Sequence, residues 1–257
     1  MKILVLLKMV PDVVEELEVA PDGRALDTEF LRLIVNERDD HALEQALLLR
    51  EDAGGEVVVA GLDAPEVDDV LFSALAKGAD RAIKLTGFPE GSGAPAVAGM
   101  VAGTLPSIDG LLPVDLILTG CQALDDLDGM IGPLLAAALD LPYLGLVAAA
   151  TVEDGGMLVS KEYSGGVLGD FRVELPAVLG IQAAAKPPRY VPIAKVRQAM
   201  STGTIEGVAA SPAGPAPSIE VIEMTKPESA GHAEMITGSP SEAAARIAAV
   251  LTDRGLL

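Results

Sequence analysis

Tryptophan is missing from this sequence, aromatic residues make up only 3% of it, and cysteine occurs once, at Cys121. A chain so poor in aromatics offers no stacking surface for exposed bases. One thiol excludes an intrachain disulfide, a zinc ribbon and a four-cysteine iron–sulfur site within the chain. Cations are scarce as well: 18 Lys and Arg stand against 38 Asp and Glu, a formal net charge of −20. Such a surface repels a phosphate backbone, which argues against nucleic acid as a partner. Long apolar runs are lacking too. Ile3 to Leu7 is too short for a signal-peptide core, and Ile131 to Ala150 is broken by Pro133, Asp140 and Pro142. A cytoplasmic protein that does not span a membrane is expected. The familiar catalytic signatures are absent: no G-x-S-x-G, H-E-x-x-H or G-x-x-x-x-G-K-[ST], and no histidines besides His41 and His232. The sequence therefore assigns no catalytic residue and no metal site.

What is present is aliphatic and periodic. Half of the 257 residues are apolar, enough to bury the core of one large domain or two small ones. The continuous apolar run Ile3 to Leu7 suits a strand covered on both faces, and Glu56 to Ala60, Arg81 to Leu85 and Val114 to Thr119 read as further strands. Between them lie stretches with helical spacing: Ala42 to Leu49 behind a possible Asn36 cap, Val67 to Leu75 behind Pro65, and Ala94 to Leu105. This alternation predicts a doubly wound α/β domain with a mostly parallel sheet. After Leu141 the rhythm changes. Strands at Val147 to Val152, Met157 to Glu162 and Phe171 to Val173, with turns at Asp154-Gly155-Gly156 and Ser164-Gly165-Gly166, predict an antiparallel hairpin extension. Pro176 to Ile181 reads as one more buried strand. From Lys186 the prolines at 187, 188, 192, 212, 215 and 217 and the lack of apolar periodicity before Glu242 predict an extended C-terminal arm ending in a short helix. Domains are thus expected at 1–185 and 186–257, the second lying on a partner.

Two features stand out chemically. The loop from Gly120 to Pro133 follows a strand and precedes the helix Ile131 to Leu139, which places its glycines and amides at the carboxyl edge of the sheet. It is either a cradle for an anionic group of a nucleotide or a plain tight connection. The second is a window without acidic residues between Glu174 and Glu206 that holds Lys186, Arg189, Lys195 and Arg197. It reads as an attraction for an acidic partner or as an ordinary run of surface cations.

Several segments, in order along the chain, resemble electron transfer flavoprotein beta subunits. They are Ile3 to Asp12 with its K-x-V-P-D turn, Asn36 to Ala46, Ala74 to Arg81, Gly120 to Pro133, Lys161 to Gly166 with Leu175 to Val178, and Pro188-Arg189-Tyr190. The resemblance implies a Rossmann-like, adenine-nucleotide-hydrolase-like fold and a heterodimer with an alpha subunit, with FAD held mainly on alpha. It implies electron exchange with a flavin dehydrogenase, such as an acyl-CoA dehydrogenase, as an electron carrier or as part of an oxidoreductase or electron-bifurcating complex. Carried over by position, the cofactor-binding residues of the beta subunit would be Leu6, Asn36, Glu37, Arg38, Asp39 and Leu62, together with Gln122, Ala123, Leu124, Asp125, Asp128, Gly129, Met130, Ile131 and Gly132 in the loop. The partner-binding residues would be Arg189, Tyr190, Ile193, Lys195 and Arg197. Asp128 stands where the family has a threonine and Met130 where it has a glutamine, a carboxylate and a thioether in place of two donors. The beta site is therefore expected to hold AMP, a second FAD or nothing. The alternative from another class is an adenine-nucleotide-binding regulatory subunit, or a purely structural one, without a redox role of its own.

Overall fold

The structure is a computed structural model that describes residues 1–89, 91–153, 155–211, 219–227 and 233–257. Pro212, Pro215, Pro217 and His232, and Asp154 of the first hairpin turn, lie outside the described residues. The chain forms two compact units, Met1–Glu223 and Met224–Leu257.

The first unit is built on a nine-stranded sheet. Its strands are β1 (Lys2–Leu7), β4 (Glu56–Leu62), β5 (Arg81–Thr86), β6 (Leu116–Gly120), β7 (Tyr143–Glu153), β8 (Gly156–Tyr163), β9 (Val167–Val173), β10 (Ala177–Ile181) and β11 (Ile205–Ala209). They lie in the order β11-β5-β4-β1-β6-β10-β7-β8-β9. Pairing is parallel from β11 to β7 and antiparallel from β7 to β9. A small antiparallel pair, β2 (Met9–Pro11) with β3 (Leu33–Val35), follows the end of β1.

Helices α1 (Glu37–Ala53) and α2 (Val67–Lys77) cover one face, and α3 (Ala94–Thr104) and α4 (Ile131–Leu139) the other. The central strand shows why both faces must be covered. Ile3, Val5 and Leu7 point into the core with α1 and α2, while Leu4 and Leu6 point into the core with α3 and α4. All five are buried, each contributing about 2 kcal/mol relative to exposure. The continuous apolar run is thus two alternating sets, one per face.

From β1 the chain winds outward through β4 to β5 and then crosses back to β6 on the other side of β1. The order reverses between β1 and β6, and at such a point the loops at the carboxyl ends of the strands diverge and leave a crevice.

Three local expectations are corrected. Asn36 occupies the cap position of α1, but its side chain makes no capping bond; it reaches across to the Gln122 carbonyl. Pro65 is not in the first turn of α2, which begins at Val67 behind a left-handed Glu66. The stretch after Lys186 is not simply extended. It contains α5 (Ile193–Thr202), packed on α2, and β11, which adds a parallel edge strand beside β5. Neither has a marked apolar pattern, because α5 covers little and an edge strand buries only part of its surface.

The second unit contains α6 (Pro240–Asp253). Ser239 and Glu242 close a reciprocal capping box at its start, where Pro240 needs no amide partner.

Candidate functional site

The crevice at the carboxyl ends of β1 and β6 is a narrow cleft open to solvent. Leu6, Leu7 and Lys8 reach it from β1, Leu62 from β4, Thr119 and Gly120 from β6, and Asn36 and Asp39 from the start of α1. Gln122, Ala123, Asp126, Asp128, Gly129, Met130 and Ile131 close it from the loop before α4. The fold thus brings together Leu6, Asn36, Asp39, Leu62, Gln122, Ala123, Asp128, Gly129, Met130 and Ile131 of the cofactor-binding residues expected from sequence. Glu37, Arg38 and Leu124 border an adjoining groove that shares Asn36 and Gln122. Gly132 lies in the first turn of α4 beside the Thr119 hydroxyl, and Asp125 contacts Lys8. Arg38 turns away and donates to the Gln182 carbonyl.

Asp39 is the keystone of the crevice. It is buried, and its two oxygens accept the backbone N–H groups of Lys8 and Gly120, which ties the ends of β1 and β6 to the first turn of α1. Burial pushes its pKa up to about 6, against the hydrogen bonds from Lys8, Gly120 and Asn36 that hold it down. Gly120 makes the close approach possible, since a β-carbon there would collide with Asp39 and Arg38.

The Lys8 ammonium and four amides around the cleft, those of Lys8, Gly120, Asp128 and Met130, have carboxylate partners within the chain. Lys8 Nζ binds Asp125 and Asp126, each at 2.8 Å. Burial lowers the Lys8 pKa, but these two carboxylates outweigh it and leave the ammonium above its ordinary value. Asp126 Oδ1 accepts the N–H of Asp128 at 3.2 Å, and Asp128 Oδ1 accepts the N–H of Met130, the residue capping α4, at 2.9 Å. Among the described residues, the one buried side-chain oxygen without a hydrogen-bond partner is Thr119 Oγ1, on a residue 3% exposed that lines the cleft.

Leu7, Lys8 and Thr119 were not anticipated as site residues. The signal for Lys8 was its place immediately after the first strand; Thr119 looked like the last residue of a buried run. Tyr143 was also missed. Its ring fills the space left by Gly132, Gly145 and Gly180, where a β-carbon on any of the three would collide with it, and burial pushes its phenol to about 12. Cys121 is a free, buried thiol whose pKa is raised by burial, which leaves it little thiolate character.

A second polar network ties the segment after β10 to α1. His41 Nδ1 accepts the N–H of Ala184, Gln45 Oε1 that of Ala185, and Glu44 Oε2 that of Arg189. The Arg189 guanidinium then grips Glu44 through Nε and a terminal nitrogen and reaches Glu51 at 2.6 Å. Of the expected partner-binding residues, Arg189 is therefore turned inward, whereas Tyr190, Ile193, Lys195 and Arg197 are exposed on the approach to α5 and on its surface. Two of the four cations of the acid-free window face charges of α1: Arg189 binds Glu44 and Glu51, and Lys186 acts on Glu51.

Outside these networks, β9 forms the last strand of the sheet and carries exposed Val167 and Phe171 on one face, with Leu168 on the other. Tyr163 of β8 and Phe171 flank the bare backbone of Gly169. Among the described residues there is no helix long and apolar enough to cross a membrane and no cluster of three or more His, Cys, Asp or Glu able to hold a metal.

Residues 26–213 match the family model of the electron transfer flavoprotein domain. Over 265 aligned residues the chain is 32% identical to electron transfer flavoprotein subunit beta of Methylophilus methylotrophus, covering 98% of each chain. It is 28% identical over 271 residues to the subunit beta of Thermoanaerobacterium thermosaccharolyticum, covering all of each. It is 30% identical over 267 residues, again the whole of both, to the caffeyl-CoA reductase-Etf complex subunit CarD of Acetobacterium woodii.

Proposed function

The chain belongs to the electron transfer flavoprotein family, on the beta-subunit side, and from that premise we propose that it works in the cytoplasm as one half of a heterodimer with an alpha subunit. Membership brings an electron-transfer role and association with flavin. In the finer reading, FAD held mainly by the alpha subunit supplies the one- and two-electron chemistry. This chain supplies framework and recognition. Its partner in electron exchange is a flavin dehydrogenase, of the acyl-CoA dehydrogenase kind or within a larger complex, as the name of the Acetobacterium woodii relative suggests for that protein.

The observation that carries this reading is the uncovered flank of the sheet. Val167, Leu168, Phe171 and Tyr163 stand exposed on the two outermost antiparallel strands, at an edge left unpaired among the described residues. Grouped apolar side chains on a free sheet edge are an aggregation hazard unless a partner covers them. Segment 186–209 completes the recognition surface: the Glu44–Arg189 grip fixes its start, and Tyr190, Ile193, Lys195 and Arg197 are left outward.

The cleft between β1 and β6 is the place for the adenine nucleotide of the beta subunit, AMP or the adenylate end of a second FAD. Leu6, Leu62, Ala123 and Ile131 give apolar walls suited to a purine, and Asn36 and Thr119 stand beside them. Asp126 lines the same cleft and Asp128 stands in the loop just before α4, so a phosphate there would lie near two carboxylates.

The test is to express the chain with and without an alpha subunit and to follow size, stoichiometry and visible absorption. A one-to-one complex with bound flavin is expected. A monodisperse monomer that stays apart from the alpha subunit and carries no flavin would leave only the regulatory or structural alternative.

A further inference from the structure

We infer that Lys8 is a salt-sensitive latch on the cleft: its ammonium holds the loop between β6 and α4 in place, and its release frees that loop to move. The inference rests on the adenine-site reading above only for what the cleft admits; the latch itself stands on the bonds of the loop.

The loop is fastened to the body of the chain at its two ends. At the start, the Cys121 N–H donates to the Ile181 carbonyl, the Gln122 carbonyl accepts from the Asn36 amide at 3.0 Å, and Ala123 is buried. At the other end Met130 leads into α4. In between, the loop bonds chiefly to itself: the Leu127 N–H donates to the Ala123 carbonyl at 2.9 Å, the Asp128 N–H to Asp126 and the Met130 N–H to Asp128. Leu124, Leu127 and Met130 stand exposed, so apolar burial does little to hold this stretch. Leu127 also takes a φ of 54°, a left-handed conformation unfavourable for a leucine. Among the described residues, the one side chain from outside that hydrogen-bonds the loop between Leu124 and Gly129 is Lys8.

Lys8 is well placed to act as a fastening. Its backbone N–H donates to the buried Asp39 at 2.8 Å, which fixes the residue at the end of β1, while its Nζ reaches Asp125 and Asp126, each at 2.8 Å. Lys8 and Asp126 both line the cleft, so the bridge is part of its wall. The three side chains remain 21–28% exposed, which lets solvent ions compete with the pairing. The carboxylate of Asp39 is buried and shielded from such competition. Salt should therefore loosen the loop before it loosens the strands beneath.

Hydrogen exchange of the full-length chain, without added ligand, tests the latch at the Leu127, Asp128 and Met130 amides. In the unmodified chain these amides are expected to exchange about fivefold faster in about 0.5 M sodium chloride than at low salt. Lys8→Met keeps a side chain of similar length without the charge. It should exchange about fivefold faster already at low salt and show no further response to salt, whereas Lys8→Arg should restore both the protection and the response. Radiolabelled AMP, chased with excess unlabelled AMP at low salt, should leave Lys8→Met about fivefold faster than the unmodified chain. Loop exchange indifferent to salt in the unmodified chain, equal exchange in Lys8→Met, or AMP leaving both at the same rate overturns the latch and leaves the adenine-site reading intact. If AMP does not bind the unmodified chain, the adenine-site reading falls, and the exchange measurement alone decides for or against the latch.

Discussion

The two flanks of α1 and the outer edge of the sheet treat their side chains in opposite ways. Around α1 the polar groups are buried and answered from inside the chain. Asp39 holds two strand ends, Gln45 and His41 take up loose amides, and Glu44 is closed by a guanidinium. On β8 and β9 the apolar groups Val167, Leu168 and Phe171 stand exposed at an edge left unpaired among the described residues. A buried charge without its partner costs several kcal/mol, so such networks are complete in the lone chain. An exposed apolar side chain costs the monomer little and becomes favourable only on association. The first region is finished by folding; the second is left open.

The contrast can be broken at its strongest point. Arg189→Ala leaves Glu44, whose side chain is 4% exposed, without its counter-ion, and is expected to lower stability by about 3 kcal/mol in urea unfolding. A loss no larger than that of an exposed surface pair would remove the claim that this network is completed by folding. Asp39→Asn should cost about 2 kcal/mol, because one of its two acceptors becomes an N–H aimed at an N–H. This effect carries a pH signature. The folded-state pKa of Asp39, about 6, lies above the unfolded value of 3.8, so the native protein binds more protons in that window. Asp39 then contributes stability that is complete below 3.8 and lost as pH rises through 6. The deficit of Asp39→Asn relative to the unmodified chain should accordingly widen between pH 7 and pH 4, and a constant or shrinking gap would contradict the assigned pKa. The smallest effect is expected at the other region. Phe171→Ser should change monomer stability by no more than about 0.5 kcal/mol, yet weaken association with an alpha subunit measured by sedimentation. A large loss of monomer stability would show that Phe171 belongs to a core of this chain.

Much of the architecture was legible from the residues alone. The runs Ile3 to Leu7 and Glu56 to Ala60 became central parallel strands, and Ile131 to Leu139 is α4 to the residue. These segments are long or strongly patterned, and local preference and burial agree in them. The antiparallel extension was legible from its glycine turns, although β7 and β9 proved longer than expected. What escaped was decided by contacts between distant residues. β11 is a strand because β5 offers it a free edge. Asn36 looked like a cap because its type and position suit one, but Gln122 offers its side chain a better partner across the crevice. In the candidate site the expected cofactor-binding residues came from resemblance to a family, whereas Lys8, Thr119 and Tyr143 lacked a local pattern.

The sequence by itself determined the class of this protein. Apolar runs separated by helical periods fix an α/β sheet covered on both faces. Composition also set the acidity, but not what the acidity does. Only the tertiary structure decided that Asp39 would fasten two strands and that Asp125 and Asp126 would silence Lys8. The reason is physical. Hydrophobic periodicity is a property of neighbours in sequence, whereas the effect of a charge depends on which groups lie within a few ångströms of it, and folding alone brings those together.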